Sequence, residues 1–232
     1  MITSKQKQLL TLSSQSGFTI IESLMAVIVV AILMTAIAPA IALSVATRVQ
    51  ARRIELASQA ARAYVDGVKA GTITAPFYTV TLSEVNATTK VFTSARSNFA
   101  AIAAPTNTTG SLSCTPPITT PATTTNYYCA NTTTLSLYCI NGDETAGCSS
   151  NSVRDLVIQS FRTSNDQNYL MGVRVYRTDG FKTSGAFELG GQQATFTGGL
   201  GKPKAPLLQM TTEITSSQPV YQDYCNRLGG CT

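Results

Sequence analysis

Few groups in this chain could do covalent chemistry on another molecule. Histidine is absent from all 232 residues, so no Ser–His or Cys–His couple and no imidazole-ligated metal can form. Six cysteines, Cys114, Cys129, Cys139, Cys148, Cys225 and Cys231, all lie beyond residue 113, and none belongs to a CxxC pair. Structural zinc sites need close ligand pairs, whereas an even number of scattered cysteines suits disulfides in an oxidising compartment. Nearness in sequence favours Cys114–Cys129, Cys139–Cys148 and Cys225–Cys231 among the many connectivities that six cysteines allow. The run Gly199-Leu200-Gly201-Lys202 resembles part of a phosphate loop, but Phe196 stands at the first glycine position and Pro203 at that of the Ser/Thr. It predicts a turn. Asn141-Gly142-Asp143-Glu144 carries oxygen ligands for a weak calcium site or, more simply, forms a turn between Cys139 and Cys148. No pair of carboxylates stands out for acid–base work. These residues argue for a protein that is not an enzyme and holds no cofactor or metal.

The informative chemistry is done to the chain. Residues 1–17 are polar and mildly basic, with Lys5 and Lys7, and end on Gly17. From Phe18 to Thr47 the chain is apolar or small, with Glu22 its single charge. The uncharged part, Ser23–Thr47, spans 25 residues, against roughly 20 needed to cross a hydrocarbon core as helix. That is long for the apolar core of a conventional signal peptide, about 7–15 residues. A buried core helix fails too, because a small domain cannot surround such a run on every side. A plain single-span anchor would leave Glu22 incidental. Cleavage between Gly17 and Phe18 accounts for it instead, because Glu22 then enters the first turn of a new helix, where the dipole and the new terminal ammonium both favour a carboxylate. Pro39 interrupts the run and predicts a helix kink.

The segment Gly17-Phe18-Thr19-Ile20-Ile21-Glu22-Ser23-Leu24 closely resembles the processing site of type IV prepilins and pseudopilins. The resemblance implies that a prepilin peptidase cuts after Gly17, that Phe18 becomes N-methylated, and that Glu22 guides docking during assembly. The implied partners are that peptidase, other pilin or pseudopilin subunits and an inner-membrane assembly platform. The implied location is the inner membrane, single-pass with the head outside the cytoplasm, and then a filament in the periplasm or at the cell surface. The continuation from Ile41 to Arg53 is similar to pseudopilins of hormogonium polysaccharide secretion in filamentous cyanobacteria. That narrower likeness implies a filament supporting polysaccharide export and gliding.

Elements that would position this segment follow from periodicity. Leu56, Ala60, Ala63, Tyr64 and Val68 recur at helical spacing and predict one apolar stripe, ending near Gly71. Strand patterns appear at Phe77–Leu82, Val153–Phe161, Tyr169–Arg177, Ala194–Thr197 and Leu207–Ile214, the last two as a hairpin. The expected fold is α+β: a long N-terminal helix packed by its second half on an antiparallel β-sheet head, as in pilins. The expected domains are a cleaved leader at 1–17, a transmembrane or filament-core helix at 18–47, its exposed half at 48–71, and a disulfide-bonded head at 72–232. Residues 105–134 hold 12 threonines and 4 prolines and predict an exposed loop region pinned by disulfides. Tyr127/Tyr128 and Tyr221/Tyr224 are expected to cover core edges.

Arg48, Arg52 and Arg53 follow the span, so counting basic residues does not favour an inward N-terminus. The cysteines and the cleavage motif place the C-terminal part outside. Excluding the leader lysines, the positive excess is too weak and too scattered for nucleic acid. The competing function is a single-span anchored adhesion module whose Thr-rich head contacts polysaccharide or another surface.

Overall fold

The computed structural model describes residues 17, 19–80, 99–107, 112–115, 126–130, 137–143, 147–164, 168–191, 193, 201–215 and 221. The chain divides into two compact units, Met1–Val45 and Ala46–Thr232.

One helix, α1, runs Ile20–Lys69. It stops where glycine permits: Gly71 has φ +72°. The Gly71 amide donates to the Val68 carbonyl at 3.1 Å, and the Thr72 amide to that of Gly67 at 3.0 Å. That pair of bonds is a Schellman cap, which satisfies the last carbonyls of the helix.

In the first unit, fifteen large apolar side chains between Ile20 and Val45 are exposed. Covering even half of each is worth about 1 kcal/mol, so the segment as a whole gains on the order of 15 kcal/mol from an apolar environment. That is comparable to the stability of an entire domain, about 5–15 kcal/mol. The segment has the length and composition of a membrane span. Its hydroxyls are satisfied within the helix, as lipid requires. Ser23 Oγ donates to the Ile20 carbonyl at 2.8 Å and Thr35 Oγ1 to that of Ile32 at 2.9 Å. The helix continues unbroken through Pro39.

In the second unit the remainder of α1 packs on a sheet. The strands are β1 (Thr79–Val80), β2 (Thr106–Asn107), β3 (Ser113–Thr115), β4 (Asn126–Ala130), β5 (Leu137–Ile140), β6 (Leu156–Thr163), β7 (Tyr169–Arg177), β8 (Gly185–Ala186) and β9 (Leu208–Ile214). Among the described residues, the main sheet runs β3-β4-β5-β6-β7-β9, all antiparallel. β1 adds a parallel pair to β6, Thr79 opposite Arg162, so the sheet is mixed and not purely antiparallel as expected. The reason is geometric: β5 pairs with β6 only up to Gln159, and β1 takes the edge that β5 leaves. β2 and β8 form a separate two-stranded sheet.

One face of the sheet meets the helix. Ala57, Ala60, Ala61, Tyr64, Val65 and Val68 pack with Tyr138, Ile158, Met171, Val173 and Val175. The helical stripe is therefore rotated from the predicted one: Leu56 is partly exposed and Ala63 is exposed, while Ala57, Ala61 and Val65 are buried. Small residues won these places because they let the helix approach the sheet closely, and a leucine there would hold it off. The other face carries two smaller clusters, one around Phe99, Ile102 and Phe161, the other around Val157, Tyr176, Phe181 and Phe187. Gly172 is required under the first, since a Cβ there would come within 2.0 Å of the Phe161 ring.

Three further expectations change. The Thr/Pro-rich stretch is not only loop; it supplies β2, β3 and β4. Leu208–Ile214 pairs with β7, and its predicted partner Ala194–Thr197 lies outside the described residues. Tyr221 is 78% exposed and covers no core edge, and Tyr224 lies outside the described residues.

Candidate processing and assembly segment

Thr19 sets the start of α1. The Glu22 amide donates to Thr19 Oγ1 at 3.3 Å and to the Thr19 carbonyl at 3.0 Å. The Ser23 amide reaches the same carbonyl at 3.2 Å. Thr19-Ile20-Ile21-Glu22 thus has the spacing of a capping box, with a hydroxyl at the cap and an acid three residues on. Glu22 stands in the first helical turn, where unpaired amides and the helix dipole present positive potential. The sequence held this signal in its S/T-x-x-E spacing. Thr19, which fixes where the turn begins and hence where the carboxylate sits, was the residue missed.

Gly17 is exposed, and a Cβ built there would meet nothing within 4 Å. Among the described residues nothing demands glycine at this position. Phe18 lies outside the described residues.

The head contains its own set of buried polar groups, none of which composition or spacing revealed. Asp155 is 1% exposed; its carboxylate accepts from the amides of Gly142 at 3.0 Å and Ser149 at 3.1 Å. The Asp143 amide donates to Asn141 Oδ1 at 3.0 Å and Ser152 Oγ to Asp143 Oδ2 at 2.7 Å. Asn141, Gly142 and Asp143 therefore form the predicted turn. Arg174 is buried and donates to the carbonyls of Phe99 at 2.6 Å and Ile102 at 2.8 Å, with its guanidinium 5.2 Å from the Phe161 ring centre. Burial lowers its pKa, with Tyr176 acting in the opposite direction. These contacts stabilise the head.

Cys114 and Cys129 stand directly opposite each other on β3 and β4 and are joined, as are Cys139 and Cys148. Sulfurs of Cys114, Cys129 and Cys139 lie within 4.8 Å of one another, but all three are disulfide-bonded, and a thiolate metal site would need them reduced. Cys225 and Cys231 lie outside the described residues.

Comparison with known proteins agrees with the N-terminal geometry. Residues 12–38 match the family model described as the prokaryotic N-terminal methylation motif. No curated protein and no solved structure matches the chain. The matched segment holds Gly17, Thr19 and Glu22 and includes the first part of the long helix that leads to the sheet head. The chain thus carries, at residues 12–38, the N-terminal methylation motif found in type IV prepilins and pseudopilins, and it joins that motif to a long helix and a sheet head.

Proposed function

We propose that this protein is a structural subunit of a pilus or secretion filament, made as a precursor and matured at its N-terminus. One observation carries the reading: the methylation motif at 12–38 runs into a helix starting at Ile20 whose apolar side chains up to Val45 are exposed and whose first turn holds the carboxylate Glu22. In this reading residues 1–17 are the leader, and a prepilin peptidase cuts between Gly17 and Phe18. Phe18 is then N-methylated. Residues 18–47 anchor the subunit in the inner membrane and later line the filament core, 48–71 continue the helix, and 72–232 form the exported head. Glu22 neutralises the terminal ammonium of a neighbouring subunit as an assembly platform adds it to the filament. Pro39 supplies the point at which the helix bends in that core. The role is structural and not catalytic.

Within the family, the stretch from Ile41 to Arg53 supports a narrower assignment, to filaments that serve polysaccharide export and gliding. Loss of exported polysaccharide in a strain lacking this protein, restored by the intact gene, tests that assignment.

Mass spectrometry of the mature N-terminus tests the proposal as a whole. The expected product begins at methylated Phe18, and Gly17→Val yields only uncut precursor, because a branched side chain crowds the peptidase and not the protein's own fold. A mature chain beginning at Ile41 or later would remove the pilin reading. A chain that keeps residues 1–17 would favour the anchored adhesion module.

A further inference from the structure

We propose that the end of the head beside Gln50 is a basic collar that docks on anionic phospholipid headgroups. This rests on the single-span anchor proposed above. The uncharged run ends at Thr47 and α1 continues through it. Arg48, Arg52 and Arg53 therefore rise about 1.5–9 Å beyond the run, against a headgroup layer of roughly 5–8 Å on each side of a bilayer. Arg48 and Arg52 are exposed.

The head comes back to the same level. Gln50 is fully buried and donates from Nε2 to Gln193 Oε1 at 2.7 Å. Gln193 donates in turn to the carbonyls of Lys202 and Ala205. The turn bearing Lys202 and Lys204 thus lies beside the helix at Gln50. Lys204 Nζ donates to the Ser184 carbonyl at 2.6 Å, which draws in the segment that follows Lys182. From the helix side, Arg53 is partly buried near Arg177 and Asp179, which lie at the start of the 3-10 turn ending at Lys182.

The acids at this end are already engaged. Asp179 pairs with Arg177, Glu188 with Lys202 at 3.1 Å, and Asp155 with backbone amides. Glu55 accepts from Gln59 at 3.4 Å on the helix surface. The basic side chains named here outnumber these acids, and lipid phosphates complement their charge. The arginines that follow the span would otherwise oppose export of the head, although long domains cross largely regardless of charge. An anionic outer leaflet offers Arg48 and Arg52 a counter-charge.

The test uses the full chain in bilayer discs of phosphatidylcholine alone or mixed with phosphatidylglycerol. Limited amine labelling is read by mass spectrometry at Lys182, Lys202 and Lys204, with Lys69 at the far end of α1 as reference. The expected result is about fivefold slower labelling of the three lysines in the anionic discs, the effect of one cation near such a surface. Lys69 should not change. Protection should vanish at about 0.5 M NaCl and in Arg52→Glu/Lys204→Glu, read at Lys182 and Lys202. Equal labelling in both discs, with the chain retained in them, overturns the collar and leaves the anchor standing. Protection that is the same in both discs and insensitive to salt means that protein covers the lysines, and also overturns it. A chain that co-purifies with neither disc overturns both readings.

Discussion

The contact between helix and sheet can be tested at one pair of hydroxyls. Tyr64 on α1 and Ser160 on β6 are each 1% exposed, and their oxygens lie 2.8 Å apart. The Tyr64 ring also stacks on Tyr138, with centroids 5.0 Å apart, so Tyr64→Phe keeps the packing and deletes only the hydroxyl. The Ser160 oxygen then loses that partner in a dry interface. An orphaned buried hydroxyl costs about 1–3 kcal/mol, whereas removing both partners of a hydrogen bond can be nearly neutral. The expected loss is about 1.5 kcal/mol for Tyr64→Phe and about the same for Ser160→Ala. The double variant should lose no more than either single change, a coupling of about 1–2 kcal/mol. For a unit of this size each kcal/mol moves the melting temperature by roughly 2–4 °C. The assay is thermal unfolding of the full chain in detergent, followed by tyrosine near-UV dichroism. Effects that simply add, or singles that cost less than about 0.3 kcal/mol, would refute the helix-on-sheet register at this point.

Three other outcomes are expected. Asp155→Ala strands the amides of Gly142 and Ser149 and should cost about 2–4 kcal/mol; faster proteolysis at residues 141–152 checks it. Burial pushes the Tyr176 phenol up to about 12 from an ordinary 10.0, against the opposing pull of Arg174. The folded state then holds this proton more tightly than the unfolded chain does. Its contribution is full below pH 10 and is lost as pH rises through 12, an effect of about 2–3 kcal/mol; melting temperatures across that window should fall less steeply in Tyr176→Phe. Glu22→Ala should leave cleavage and membrane insertion intact but lower the ratio of subunit in sheared filaments to subunit in membranes, and an unchanged ratio would remove Glu22 from docking.

Local patterns in the sequence carried different amounts of the fold. β7 was legible to the residue, Tyr169–Arg177, because a run rich in aromatic and β-branched side chains after a polar turn is a local signal. The pairings Cys114–Cys129 and Cys139–Cys148 followed from nearness, since short loops bring their ends together cheaply. The helical stripe was right at Ala60, Tyr64 and Val68 and wrong at Leu56 and Ala63, because hydropathy ranks Leu56 above Ala57, whereas close packing against a flat sheet ranks them the other way. Strands β3 and β4 were hidden in threonine-rich sequence, where few large side chains mark a face. Gln50, Asp155 and Arg174 could not have been read at all. Their partners lie 143, 13 and 75 residues away in the bonds Gln50–Gln193, Asp155–Gly142 and Arg174–Phe99, and long-range partners leave no periodic trace.

The two units differ in where the reasons for their residues lie. In the head, residues that look odd have an internal cause. Gly71 takes a left-handed φ, Gly172 makes room for Phe161, and Arg174 holds the carbonyls of Phe99 and Ile102. In the N-terminal unit the same questions find no internal answer. Among the described residues nothing crowds Gly17, and the large apolar side chains from Ile20 to Val45 are exposed. Thr19 places Glu22 in the first helical turn, yet a charge on an otherwise apolar surface weakens an anchor, by up to about 3 kcal/mol at the centre of a bilayer and by less towards its edge. A residue that a protein's own stability disfavours must be maintained by something it meets. In the proposed reading Gly17 fits a peptidase that must close around the cut, the apolar surface fits lipid and then neighbouring helices, and Glu22 fits a positive group arriving with the next subunit.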